Sequence, residues 1–211
     1  MFGPGWRSTY EESVSLTPDG YIAYSRGNGD NWTFGFAQNI YPPTTYLPMV
    51  PANTGDSLVW NGANWIVNFK NGEKRFFAGP ASTSPPPGSL TAIIDRNGNR
   101  TQLVYDSFGR LTTVTDPASR TLTFSYNGLV TGITSSVGVS LSYAYDNLGR
   151  LVQVTNPDQT TVSFQYDGGS HITAVLDSQG KLLESHTYDL LGRGTSSSRA
   201  LGADALTVSY P

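Results

Sequence analysis

Residues 105–126 read YDSFGRLTTVTDPASRTLTFSY, and residues 145–166 read YDNLGRLVQVTNPDQTTVSFQY. The two stretches agree at 11 of 22 positions without a gap. A third copy opens at residue 188 as YDLLGRG. Tyrosines mark the phase at Tyr105, Tyr126, Tyr145, Tyr166, Tyr188 and Tyr210, with spacings of 21, 19, 21, 22 and 22 residues. A fixed period of this length is the signature of a repeat architecture. A unit of about 21 residues holds two strands of about 5–6 residues and two turns, which is one β-hairpin.

The residues inside the unit agree with that reading. Leu122, Phe124 and Tyr126 alternate with Thr121, Thr123 and Ser125, a period of two that belongs to a half-buried strand. Val152 and Val154 flank Gln153 in the same way. Gly109 and Gly149 stand where a positive φ would cost little. Asp116-Pro117 and Asn156-Pro157 start turns, and Asn97-Gly98, Asn127-Gly128 and Asp167-Gly168 suit tight hairpins.

Outward from the repeats the grammar persists. Asp19-Gly20, Asn61-Gly62 and Asn71-Gly72 separate aromatic-rich runs in residues 1–80. The proline-rich stretch 41–51 is expected to be an irregular loop, and residues 81–89, ASTSPPPGS, a linker or loop. The organisation expected is an aromatic-rich β region over 1–80, the connection 81–89, and repeats over 90–211. The fold class expected is all-β: antiparallel hairpin repeats of about 21 residues in one continuous, curved sheet.

Composition supports folding and narrows the chemistry. Of the 211 residues 37% are hydrophobic, only 14% are charged and 12% are aromatic, the reverse of a disordered chain. The net charge is −3, and no basic block suits a phosphate backbone, which argues against a nucleic-acid partner. No run approaches the roughly 18 apolar residues of a membrane helix. The first residues lack a signal-peptide pattern. There is no cysteine, which excludes disulfides and thiolate metal sites.

The motif Tyr-Asp-x-x-Gly-Arg-Leu resembles the YD repeats of Rhs proteins, which also occur in toxin-complex subunits and teneurins. It is carried by Tyr105, Asp106, Gly109 and Arg110, by Tyr145, Asp146, Gly149 and Arg150, and by Tyr188, Asp189, Gly192 and Arg193, the third copy with Gly194 in place of leucine. The half-repeats at Tyr126 and Tyr166 lack Gly-Arg. Residues 94–99, IDRNGN, are similar to the family's approach to its first YD, and residues 2–6, FGPGW, to the start of its shell region. The resemblance implies a sheet that spirals into a hollow shell around a passenger toxin, in a secreted or cell-surface protein. It implies further YD repeats, of a longer chain or another copy, as partners. The segment reads as an N-terminal shell section or a short stand-alone relative; no counterpart of the family's protease segment or toxin is seen.

Each motif residue has a structural use. Tyrosine packs a ring and reaches out with its hydroxyl. Aspartate bonds the N–H groups of its own turn, glycine closes the turn, and arginine forks to an acid or a carbonyl. Arg110 is expected to pair with Asp106 or with an acid of the adjacent hairpin.

Against this stand the chemical alternatives. His171 and His186, with Asp167, Asp177 and Glu184 near in sequence, lack the spacing of a zinc site. Asp95, Asn97 and Asn99 alternate like a calcium loop but lack its glycine and glutamate positions. Ser178 to Lys181 spells S-x-x-K in a turn rather than on a helix. Glu11, Glu12, Asp19 and Asp30 offer no singled-out acid pair. No cofactor is expected, and a hydrolase is the weakest reading. Trp6, Trp32, Trp60 and Trp65 could build a sugar-stacking platform, with ordinary core packing as the alternative. The leading expectation is a non-catalytic structural section of a β-shell, with glycan binding second.

Overall fold

The computed structural model describes residues 1–36, 45–199, 202 and 204–211. Among them the strands are β1 (Ser13–Leu16), β2 (Ile22–Ser25), β3 (Asn31–Phe36), β4 (Thr45–Val50), β5 (Ser57–Trp60), β6 (Asn64–Asn68), β7 (Lys74–Ala78), β8 (Leu90–Ile94), β9 (Arg100–Tyr105) and β10 (Leu111–Thr115). They continue as β11 (Thr121–Asn127), β12 (Leu129–Ser135), β13 (Ser140–Tyr145), β14 (Leu151–Thr155), β15 (Thr161–Tyr166), β16 (Ile172–Leu176), β17 (Leu182–Tyr188), β18 (Gly194–Arg199) and β19 (Asp204–Thr207). All belong to one antiparallel sheet in which strands pair with their sequence neighbours. The all-β hairpin architecture read from the period is the fold.

The chain forms two compact units, one of Met1, residues 5–124 and 135–137, the other of residues 2–4, 125–134 and 138–211. In the first unit the ladder runs from β1 through β8. Strand β1 then bonds back to the residues before β8: the Val14 amide donates to the Gly88 carbonyl at 2.9 Å, and Ser13 bridges Ser89. The meander thus returns on itself around Ile22, Tyr24, Phe34, Leu58, Val67, Phe77 and Leu90, each at most 1% exposed. Tyr24 meets Phe77 edge-on at 5.6 Å between ring centres, the arrangement ring quadrupoles favour. Its hydroxyl donates to Glu12 at 2.5 Å. Burial, reinforced by that bond to a carboxylate, pushes the Tyr24 phenol well above its usual range.

One expectation is corrected here. Residues 45–50 of the proline-rich stretch form β4; residues 41–44 lie outside the described residues. Proline is tolerated because Pro48 stands opposite Phe34 at a register shift, where the missing N–H breaks no regular ladder. Residues 79–89 connect β7 to β8 within the first unit.

The second unit is built differently. Among its described residues only Val130, Leu151 and Ala174 are buried hydrophobics. Its strands alternate as expected: in β13, Leu141, Tyr143 and Tyr145 are half-buried while Ser140, Ser142 and Ala144 are exposed. Hydrophobic burial here is shallow, so the hairpins need another tie. That tie is the repeated motif.

Candidate functional site

Five-residue turns close the hairpins in both units. In each, the first residue donates its N–H to the carbonyl of the fifth, and the fourth donates back to the first; Asp106–Arg110, Asp146–Arg150 and Asp189–Arg193 do so at 2.9–3.0 Å. The fourth residue has a positive φ, 76° at Gly109, 74° at Gly149 and 75° at Gly192. This is the three-residue hairpin loop with a bulge at the left-handed position, and glycine fits it without steric cost.

The aspartate holds the turn shut. One oxygen of Asp106 accepts the amides of Phe108 and Arg110, both at 2.9 Å, and the other accepts Nε of Arg110 at 2.8 Å. Arg110 therefore pairs within its own turn. Asp146 with Arg150 and Asp189 with Arg193 repeat the arrangement, each with an Nε contact of 2.7 Å. The two variable motif positions are free because they face solvent: Phe108, Leu148 and Leu191 are all exposed.

The amide of the fifth residue holds the Asp106, Asp116 and Asp189 carboxyls below the usual carboxylate range, with the guanidinium adding to it. At Asp167 the His171 side chain is the leading cause. A depressed folded pKa gives stability that is present above the unfolded value of about 3.9 and is lost as pH falls through the folded values. The thermal midpoint is therefore expected to be level above about pH 5 and to fall below about pH 4. Asp189→Asn should flatten part of that fall when melting is followed against pH.

The tyrosines reach back across the hairpins. The Tyr105 hydroxyl donates to the Leu90 carbonyl at 2.7 Å, Tyr145 to Val130 at 2.8 Å, Tyr166 to Leu151 at 2.7 Å, Tyr188 to Ile172 at 2.9 Å and Tyr210 to Gly194 at 3.0 Å. In the last three the acceptor is the seventh residue of the preceding motif. Only a backbone carbonyl is required there, so Gly194 serves as well as Leu151. The arginine completes the link forward. The Arg150 guanidinium lies 4.8 Å from the centre of the Tyr166 ring, and that of Arg193 lies 4.3 Å from Tyr210, both within cation–π range. Arg150 also donates to the Asp167 carbonyl at 3.1 Å. The turns at Arg150 and Arg193 are thus tied to the next tyrosine, and Tyr166, Tyr188 and Tyr210 to the strand that began after the previous turn.

The half-repeat at Tyr166, read as degenerate, has the same geometry in different residues. Ser170 takes the glycine position with φ 68°, and His171 takes the arginine position, 3.0 Å from Asp167 and stacked on Tyr188 at 4.6 Å. Asp167-Gly168 is accordingly not a two-residue hairpin; the turn spans Asp167 to His171. The available signal was an aspartate four residues before a side-chain donor, at the right distance from a marker tyrosine. Since serine is strained at a left-handed φ, Ser170→Gly is expected to stabilise the chain by about 0.5–1 kcal/mol in urea unfolding.

The other candidates do not converge. Among the described residues no three histidine, aspartate or glutamate side chains are grouped to hold a metal ion. His186 faces Glu184 at 3.6 Å, and Arg199 holds the same carboxylate at 2.9 Å. Glu11 accepts the Ser8 amide at 2.7 Å, and Glu12 is taken by Tyr24 and Arg75. Ser178 and Lys181 sit in the turn from Asp177 to Lys181. The tryptophans are all half-buried. Trp32 packs edge-on against Tyr24 at 6.0 Å under the Arg26 guanidinium. Trp60 and Trp65 face each other across β5 and β6 at 5.0 Å, and Trp65 meets Tyr46 at 5.5 Å. Trp6 lies apart in sequence, before β1.

Fold and site together define a β-hairpin repeat protein whose units are locked by a Tyr-Asp-x-x-Gly-Arg clamp. The RHS repeat family model matches residues 88–121, 124–161 and 148–182. Residues 88–121 and 124–182 are thus Rhs (YD) repeats. No curated protein matches it. Among solved structures it is similar to a TcdB2-TccC3-Cdc42 crystal structure, at 14% identity over 88% of this chain and 11% of that one, with a TM-score of 0.49. A Tc holotoxin pore from Photorhabdus luminescens gives 12% identity over 89% of this chain and 11% of that one, with a TM-score of 0.47. TcdB2-TccC3 without its hypervariable C-terminal region gives 16% identity over 89% and 12%, with a TM-score of 0.42. The chain spans about one ninth of the length of the first of these.

Proposed function

We propose that this chain is a structural section of a β-shell that scaffolds, and in a longer protein encloses, a passenger polypeptide without catalysing a reaction. The observation that carries the reading is the tyrosine ladder. Its hydroxyls and the arginines behind them join hairpin to hairpin through backbone carbonyls, a mechanism that extends a sheet without a thick core. Repeats of this kind gain stability from their neighbours, and additional YD repeats would continue the ladder beyond β19. The histidines and acids weighed as candidates are held in turns, ion pairs and hydrogen bonds rather than gathered in one pocket. A secreted or cell-surface setting accords with the toxin complexes among similar structures, and domain organisation follows the clamp: repeats over 90–211, preceded by the aromatic-rich region 1–80 and the connection 81–89.

The test uses the natural full-length polypeptide under proteinase K. Containment predicts that a segment outside the repeats resists cleavage while the sheet is folded. It should become sensitive at the urea concentration where the near-ultraviolet signal of the repeat tyrosines is lost. Equal sensitivity with and without urea contradicts containment.

A further inference from the structure

In the first unit a cleft of ≈ 400 Å³ opens between Trp60, Asn64 and Thr91 on one side and the loop Gly79 to Pro85 on the other. Its size falls among small-ligand sites, about 300–1,000 Å³. We propose that this cleft is a subsite for one pyranose ring of a neutral glycan, stacked on the Trp60 indole. The proposal does not depend on the shell reading.

Three features of the cleft support it. First, the aromatic wall is held in place. Trp65 backs the Trp60 ring at 5.0 Å, and a Cβ on Gly79 would come within 2.7 Å of that ring. Glycine at position 79 therefore lets the loop lie against the indole. The loop is itself pinned, with the Ser82 amide donating to the Gly79 carbonyl at 3.0 Å and the Gly88 amide to the Ala78 carbonyl at 2.9 Å. A rigid, half-buried indole loses little entropy when a flat apolar face settles on it.

Second, the polar groups around the ring suit hydroxyls. Ser82 donates its proton to the Pro85 carbonyl at 2.6 Å and Thr91 donates to the Phe76 carbonyl at 3.1 Å. Both hydroxyl oxygens keep lone pairs for an incoming O–H. The side-chain amide of Asn64 has no partner among the described residues, leaving donors and an acceptor to offer. A sugar ring presents this combination, an apolar C–H face edged by hydroxyls that both give and accept hydrogen bonds.

Third, the described lining residues include no Asp, Glu, Lys or Arg. A charged ligand would leave water without a counter-charge, which is costly; a neutral one would not. A second cleft of ≈ 320 Å³ adjoins along Pro80, lined by Trp65, Val14, Ile22 and Pro87. The two clefts share Pro80, and Trp60 of the first lies against Trp65 of the second, so a chain of more than one ring has room to continue.

The experiment is titration of the chain with cellotetraose, maltotetraose and chitotetraose, followed by calorimetry and tryptophan fluorescence, with a tetrasaccharide of uronic acids as charged control. The expected result is saturable binding of at least one neutral tetrasaccharide with a change in tryptophan emission. Trp60→Ala should weaken it at least tenfold, and the uronic acid control should not bind. Asn64→Asp keeps the side-chain volume but places a negative charge in the cleft, and should weaken binding at least fivefold with an unchanged melting curve. It stands as the reading if Trp60→Ala fails to fold. Absence of binding by all three neutral probes at 10 mM (on the order of the weakest single-ring affinities) overturns the proposal. So does binding that survives both substitutions, or preference for the charged control.

Discussion

Replacing Gly88 with alanine is expected to destabilise the first unit by about 3 kcal/mol or more. A left-handed backbone costs a residue with a Cβ about 1–2 kcal/mol, and Gly88 has φ +78°. The new methyl would also run into the carbonyl of Val14, the residue whose amide bonds to Gly88. Backbone on both sides cannot yield as a flexible side chain would, so overpacking adds roughly 1–3 kcal/mol. Gly98 supplies the control. Its φ is +87°, but a Cβ there meets nothing within 4 Å. Gly98→Ala should cost only the backbone share, about 1–2 kcal/mol. Urea unfolding of the two variants separates strain from collision. Equal losses would show that the return of β1 onto Gly88 is unimportant for stability.

The second large effect is expected at Tyr166. Its hydroxyl holds the Leu151 carbonyl and its ring lies beneath the Arg150 guanidinium. Tyr166→Phe removes the hydrogen bond alone and should cost about 1 kcal/mol. Tyr166→Ala removes the ring as well, in a unit with few buried residues to compensate, and should cost about 3 kcal/mol. If phenylalanine costs as much as alanine, the hydroxyl is the whole of the clamp. If neither costs anything, the repeated tyrosines are not what joins the hairpins.

Much of this was legible in the residues. The phase of the tyrosines gave the hairpin period, and Gly109, Gly149 and Gly192 mark the left-handed turn position because few other residues tolerate it. Asp106 and Arg110 could be paired from their four-residue spacing. What stayed hidden was whatever depends on backbone alone. The tyrosine hydroxyls end on carbonyls 15 or 16 residues back, and a carbonyl has no letter in the sequence. For the same reason the closure of β1 on Gly88 could not be read from ASTSPPPGS. Substitution hid the clamp at Tyr166, where Ser170 and His171 perform the turn and stacking roles in other chemistry. At β4, proline composition outweighed the strand pattern of Thr45–Val50, although a register shift opposite Pro48 makes room for it.

Amide exchange in Tyr188→Ala, resolved by peptide, addresses the coupling between repeats most directly. Protection should fall in β15 and β16 as well as in β17, because the lost hydroxyl had anchored the strand that begins at Ile172. Faster exchange confined to the turn around Asp189, with β15 and β16 protected as in the parent chain, would contradict the account.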